Sequence, residues 1–578
     1  MCNMGPCRIS PKAPRGACGA GADLIVARNI LRWMAGAVAS HGARSREVIL
    51  ALKASAEGRS PQPIKGAAKA LAIAKALGIY SEEKSVEQMV GEIADTLHED
   101  LSRSVPSAHR TIDAFASEER KKLWKELDII PIGAYHEVFE ALHRTGVGTD
   151  GDWRNVMKQF LRCGLAFSFG SVLGGTIAGD CLYGVPKRTR IQTNLGSINP
   201  DTVNIAIHGH SPVLAASIVE LAGSRAAIDK ARSRGAGGIS LYGICCSGLN
   251  SLYRLGSVIP LSNAAGAELV LGTGAIDLWV ADLQDIYPAI MEIANCFHTK
   301  VITTNDSCHL PGAEHIGFDH YHSNIGEAHE LADKIINEAI SNYALRDASR
   351  VFIPDYSFEA EVGFSAENLC EEFGGTTALL ECLRDGSLRG IVNLVGCSNP
   401  KVLYEQAVVR VTDYLLKNGI LVVTNGCASF PLLRLGYCSE SALSKCAPGM
   451  AGTLARFGLP PVIHFGECLD NARASALFKT LAEAAGEPIR RMPFAFSSPE
   501  WSNEKGVGAA LAFRLLGVNS YHCVEAPVGA SDNVSRFFSS DTMEAFGAVM
   551  VVEEDPERLA AIICRDVEDK RERLGWKS

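Results

Sequence analysis

Several residues of metal-ligand type sit where a metal could be gripped: His208, His210, Cys245, Cys246, Asp285, Cys397, Cys427 and Cys468. Each falls within a few residues of the end of a short β-branched run, often beside a glycine such as Gly243, Gly396, Gly426 or Gly466. In parallel α/β sheets ligands gather outside the carboxyl ends of the strands, where loops from several strands converge. Glycine lets the backbone approach a bulky object closely. One buried thiol is ordinary, because free cysteine is among the most buried residue types. Independent core thiols would not fall repeatedly at strand ends, so together these residues read as one metal site. Thiolates with one or two imidazoles point to iron–sulfur chemistry that could include nickel, and away from magnesium or calcium. More than four candidate ligands and no C-x-x-C pair speak against zinc.

A separate group, Cys2, Cys7 and Cys18, lies in CNMGPCRISPKAPRGAC. Compact cysteine spacing punctuated by Gly and Pro suits a cubane held in a loop, although four irons normally take four thiolates.

The elements that must position these groups change along the chain. Apolar residues at three and four spacing run through Leu24–Val38, Ile64–Leu77 and Val86–Leu97, with Ser85 and Gln88 placed as a capping box. Residues 1–200 therefore read as an all-helical domain. From about Asp201 short strands alternate with amphipathic helices: Val203–Ile207, Ile239–Tyr242, Ile276–Ala281 and Val301–Thr304, with a helix over Ile286–Cys296. A second series follows Arg350, with strands at Ile391–Val395, Leu421–Thr424, Val462–Phe465 and Val549–Val552 and a final helix Pro556–Arg573. Such alternation is the pattern of parallel βαβ units. The expected fold is α/β, with two Rossmann-like parallel-sheet domains at 201–347 and 348–578 behind the helical one.

Composition narrows the function classes. The chain has 578 residues, a net charge of −9 and no Lys/Arg tract, so neither nucleic acid nor anionic lipid is a favoured partner. No segment reaches the roughly eighteen uncharged apolar residues of a membrane span and no signal peptide opens the sequence, so the expectation is a cytoplasmic protein. Its 18 cysteines then cannot be a disulfide framework, because cytosolic thiols are kept reduced.

The segments MGPCRISP, NLGSINPDTVNIAIHGHSP, YGICCSG, LVGCSNPKV, VVTNGCA, HFGECLDNAR and EWSNEKGVG resemble the nickel-containing anaerobic carbon monoxide dehydrogenases, and the likeness extends over essentially the whole chain. The resemblance implies a homodimer that oxidises CO with water to CO2 and passes two electrons to a ferredoxin-like carrier. It also implies an Ni-Fe-S active cluster and a [4Fe-4S] relay cluster. Carried over by motif, a histidine of His208-Gly-His210 and Cys246 would hold the pendant iron, Cys397 and Cys427 cubane irons, and Cys468 nickel. Cys2, Cys7 and Cys18 would hold the relay cluster. Lys505 matches the family lysine that stabilises bound CO2, and His41 the active-site histidine. His315 and Cys308 read as structural, and Cys245 as adjoining the site.

Four departures stand out. Asp285 occupies the place of a further iron-ligating cysteine, which implies a more oxygen-rich cluster. Gly164–Gly175 contains no acidic residue where the family has an active-site aspartate. Arg44 and Glu47 replace the histidines that follow His41 at helical spacing. The interfacial-cluster cysteines and the first relay cysteine would lie upstream of Met1, as expected of a truncated start or, alternatively, of a form with a crippled relay. These departures keep two alternatives open: a reductase of hydroxylamine-type substrates with an oxygen-containing Fe-S cluster, as in the related hybrid-cluster proteins, or a non-catalytic metal-binding paralogue.

Overall fold

The structure is a computed structural model that describes residues 3–255, 258–318 and 325–577. Cys2, one of the three expected relay thiols, lies outside the described residues.

The amino-terminal region is built around one long helix, Ala22–Ala56, which continues well beyond the periodic stretch that marks it in the sequence. Helix Val86–Ser102 starts at the expected capping box, with the Ser85 hydroxyl accepting from the Gln88 amide and the Gln88 side chain accepting from the Ser85 amide. The helical run Trp153–Tyr183 is long and apolar enough, by length and composition alone, to cross a membrane. Most of it is buried inside the protein, as expected of a core helix. Its middle, Ala166–Leu173, is wound as a π-helix within this run and packs beside the long helix.

The region 1–200 is not wholly helical: Thr189–Thr193 is a strand, β1. The next strands are β2 (Val203–His208), β3 (Ile239–Ile244), β4 (Val258–Ser262), β5 (Leu278–Ala281), β6 (Lys300–Thr303) and β7 (Glu314–His315). These six form one sheet in the order β4-β3-β2-β5-β6-β7, with every pairing parallel. After them come β8 (Phe358–Val362), β9 (Gly390–Val395), β10 (Ile420–Asn425), β11 (Val462–Gly466), β12 (Phe494–Ser497), β13 (Ser520–His522) and β14 (Met550–Val552). The second sheet runs β1-β8-β11-β10-β9-β12-β13-β14, and only the edge pair β1–β8 is antiparallel. Strands β2, β9, β10 and β11 are buried at every residue, as parallel strands covered on both faces must be.

The expected strands at the sheet centres are all present, while β1, β4, β7, β8, β12 and β13 carry weaker signals. They are short, and β4 contains Pro260 while β8 interleaves Glu359 and Glu361 with apolar residues. The helix expected over Ile286–Cys296 shrinks to Ile290–Ala294. Just ahead of it Gln284 and Asp285 both take left-handed backbone angles, φ 65° and 56°, which a helix cannot contain.

Candidate metal-cluster site

The carboxyl ends of both sheets meet at one place. Strand β2 ends in His208, and Gly209 then turns the chain so that His210 follows. Gly209 has φ 133°, and a Cβ there would stand 1.9 Å from Asp282 Oδ1, so only glycine fits. The Asp282 carboxylate in turn accepts the His210 amide at 2.5 Å and the Ser247 hydroxyl at 2.5 Å, locking the ends of β2, β3 and β5 together. Burial pushes the Asp282 carboxyl up to about 7.

Strand β3 delivers Cys245 and Cys246 at the start of helix Cys245–Leu255. Cys245 is itself left-handed, φ 57°. In the second sheet β9 is followed by Cys397, β10 by Cys427 and β11 by Cys468. Gly426, at φ 63°, leaves room where a Cβ would come within 2.8 Å of Cys468 Sγ. The sheets thus bring thiols together from opposite sides: Cys246 Sγ is 3.2 Å from Cys468 Sγ, and Cys245 Sγ is 3.5 Å from Cys427 Sγ. These separations are far beyond a disulfide bond. His210, Cys246 and Cys468 offer ligand atoms that all lie within 4.8 Å of one another.

The two histidines are told apart by their partners. Nδ1 of His210 meets the Leu283 carbonyl at 3.3 Å, which turns Nε2 towards Lys505 Nζ and Asp285 Oδ2, each 3.4 Å away, and the ring offers a ligand atom within 4.8 Å of the Cys246 and Cys468 sulfurs. That is how a metal-binding imidazole is oriented by its second nitrogen. His208 instead directs Nε2 to the Asp285 carbonyl at 3.1 Å and packs edge-on against Trp279. Burial holds His208 down at about 4 and His210 well below the ordinary range, so both imidazoles are neutral bases at pH 7.

Asp285 and Lys505 complete this side. Lys505, in the first turn of helix Glu504–Leu515, sends Nζ to Asp285 Oδ2 at 2.5 Å and lies 3.4 Å from His210 Nε2. Asn503 donates to the other Asp285 oxygen at 2.9 Å. Burial disfavours the Lys505 charge, but Asp285 and the surrounding thiols outweigh it and hold the ammonium protonated.

The long helix supplies the far wall. Ser40 accepts Gln284 Nε2 at its carbonyl (2.6 Å) and gives its hydroxyl to Glu504 (3.0 Å), tying the helix to both the Asp285 loop and the Lys505 helix. One helical turn apart, His41, Arg44 and Glu47 are all buried on this face. Where an aspartate was missing from Gly164–Gly175, the π-helix presents Phe167, whose ring lies 5.4 Å from that of His41. Burial, followed by the nearby Lys505 charge, holds His41 neutral. Arg44 is paired with Glu467, and Glu47 accepts the Ser211 hydroxyl. Glu467 also accepts Asn250 Nδ2 at 2.5 Å, so one carboxylate joins the helix behind Cys246 to the turn that carries Cys468.

Sequence reasoning set Cys245 beside the site and overlooked Asp282 and Glu467. The Sγ contact with Cys427 places Cys245 within the thiol group. A signal existed for Asp282 in the fixed step from strand end to acid, but Glu467 is revealed only by its partners. Of the expected relay thiols, Cys7 and Cys18 lie apart, exposed in the loop before the long helix. There Cys7 Sγ crowds Gly16, since a Cβ on Gly16 would stand 2.8 Å from it, and a hydrogen bond from the Ala20 backbone is the main cause lowering the Cys18 thiol.

Five unbridged thiols and the His210 imidazole, gathered at the carboxyl ends of the two sheets, form a donor set for a sulfur-ligated metal cluster. The chain belongs to the Prismane/CO dehydrogenase family, whose profile matches residues 1–557. It is 36% identical to carbon monoxide dehydrogenase 1 of Methanosarcina acetivorans, over 100% of this chain and 91% of that protein. Among solved structures, a Ni-free carbon monoxide dehydrogenase from Thermococcus sp. AM4 superposes with a TM-score of 0.96 at 37% identity, covering 100% of this chain and 91% of the other. Carbon monoxide dehydrogenase IV of Carboxydothermus hydrogenoformans gives 0.95 at 33% identity, over 99% and 92%.

Proposed function

We propose that this protein is an oxidoreductase of the carbon monoxide dehydrogenase type, converting CO and water to CO2, two protons and two electrons. The observation that carries this reading is the meeting of Cys245, Cys246, Cys397, Cys427, Cys468 and His210 beside a buried, protonated Lys505. The donor set fits an Ni-Fe-S cluster: soft thiolates dominate, one imidazole is oriented for coordination, and unmetallated thiols there would be held neutral, Cys427 and Cys468 by the hydrogen bonds of Cys245 and Cys246 and then by burial, Cys397 by burial. His210 and Cys246 would hold iron, Cys397 and Cys427 cubane irons, and Cys468 nickel; Cys245 is a further candidate. When bound, the cluster supplies Lewis-acid activation of CO and water and takes up the two electrons.

The protein's own groups do the rest. Lys505 would donate a charge-assisted hydrogen bond to an oxygen of CO2. His41, held neutral, accepts a proton. Phe167 covers it on one side and also lines an apolar cavity of about 230 Å³ with Phe169, Val172 and Phe513, suited to a small apolar gas. Cys7 and Cys18, with Cys2, would hold the [4Fe-4S] relay at the surface, where a ferredoxin-like carrier can dock. A homodimer in the cytoplasm completes the reading.

Anaerobic purification followed by nickel and iron analysis tests it. Near-stoichiometric nickel with CO-dependent viologen reduction is the expected result, and iron without nickel, with no CO activity, would overturn it. One observation favours a second reading: a carboxylate, Asp285, stands where a thiolate would make the cluster more sulfur-rich. Hydroxylamine reduction by a nickel-free, oxygen-containing Fe-S cluster is the outcome that would select it.

A further inference from the structure

We propose that Asp306, His309 and His315 form a second, surface site for a divalent transition metal of the zinc, nickel and copper class. The loop after β6 returns to form β7, and the register sets Thr303 opposite His315. Thr303 Oγ1 lies 2.9 Å from His315 Nδ1, and Nε2 of the same ring is 3.4 Å from Asp306 Oδ1. The His309 ring rests against it, centroids 4.1 Å apart and planes 30° from parallel. Ligand atoms of all three side chains lie within 4.8 Å of one another, and all three residues are exposed. Around a tetrahedral ion with ligand bonds of about 2.0–2.2 Å, neighbouring donors stand roughly 3.3–3.6 Å apart. Closing onto a metal therefore needs shifts of about 1 Å in exposed side chains, within reach of small rotations.

The donor chemistry defines the ligand. Two imidazoles and one carboxylate suit borderline metals, whereas magnesium and calcium take oxygen shells and iron–sulfur clusters take thiolates. If His315 donates Nδ1–H to Thr303, its Nε2 carries the lone pair that a metal takes, the arrangement by which an outer partner orients a ligating histidine. Three protein donors leave a position for water, so the bound ion would exchange with solvent. The site shares no donor with the thiol group, and it interprets His315 as a ligand where the sequence alone suggests a structural role.

The test uses the full-length, cluster-bearing protein in anaerobic equilibrium dialysis against Zn2+ alone, beside H309A/H315A and T303V. The wild type should bind one zinc equivalent more than the double variant at micromolar free zinc, in the presence of excess Mg2+. T303V should bind that equivalent roughly tenfold more weakly, and iron content should be the same in all three. H309Q alone, at an exposed position, repeats the measurement should the double variant fold poorly, and should also lose the equivalent. Equal zinc binding by wild type and H309Q, or binding that Mg2+ displaces, would show an adventitious ion only and overturn the site.

Discussion

Lys505 and Asp285 form a buried-edge ion pair, Nζ to Oδ2 2.5 Å, beside the candidate cluster site. The lysine that should meet a nascent carboxylate product is thus already held by a carboxylate of the protein. Replacing Asp285 by Cys should free the ammonium and add a soft ligand. The expected result is a higher rate of CO-dependent viologen reduction with a changed cluster EPR spectrum; an unchanged spectrum would refute a ligand role for this position. Lys505→Ala should lower kcat about 100- to 1000-fold, the usual cost of losing one donor to a developing anion, with nickel and iron content retained.

His210 and His208 should separate on metal content. His210 has a ring nitrogen grouped with the sulfurs of Cys246 and Cys468, whereas His208 Nε2 is engaged by the Asp285 carbonyl. We expect His210→Ala to lose iron from the active cluster and His208→Ala to retain it, read as iron per protein after anaerobic purification. The reverse order would reassign the ligand.

The thiols divide in the same way. Cys468→Ala should abolish nickel loading. Cys245→Ser should alter the Mössbauer spectrum, because its sulfur lies 3.5 Å from that of Cys427. Cys163→Ser changes a buried thiol in the helical core whose contacts are with Glu137 and Gln159, and should leave the spectrum as it is. A normal spectrum in Cys245→Ser would return Cys245 to the core.

Stability should depend on Asp100, in the helical region. Its carboxylate accepts from Arg103 at 2.8 Å and from the Thr111 amide at 2.7 Å, and meets His109 Nδ1 at 3.2 Å. Burial alone would raise the group, but His109, Thr111 and Arg103 more than compensate and hold it well below the usual carboxylate range. A folded-state value below the unfolded one means stability present above the unfolded value of about 3.9 and lost as pH falls through the folded one. Asp100→Asn should therefore cost about 3 kcal/mol near neutral pH, since it leaves buried cations without their anion. The gap between wild type and variant should close in strong acid, measured as the urea midpoint followed by circular dichroism.

By itself the sequence determined the central strands and the ligand types at their ends. Runs such as ILVVTN and GIVNLV are buried on both faces and so carry a continuous apolar signal, and each is followed by a glycine and a cysteine that no covering helix demands. Short edge strands such as β1, with its TRIQT pattern, carry little of that signal, because half their surface faces solvent or a single partner. Only the tertiary structure decided which donors share one site. The choice of His210 over His208 rests on a carbonyl 73 residues away in the chain, and the place of Cys245 on a thiol 182 residues away. The Asp285–Lys505 pair spans 220 residues, and Glu467 bridges Arg44 and Asn250 from three separate elements. Local pattern encodes a residue's own burial and backbone, while contacts between sheets depend on how two independently legible layers dock.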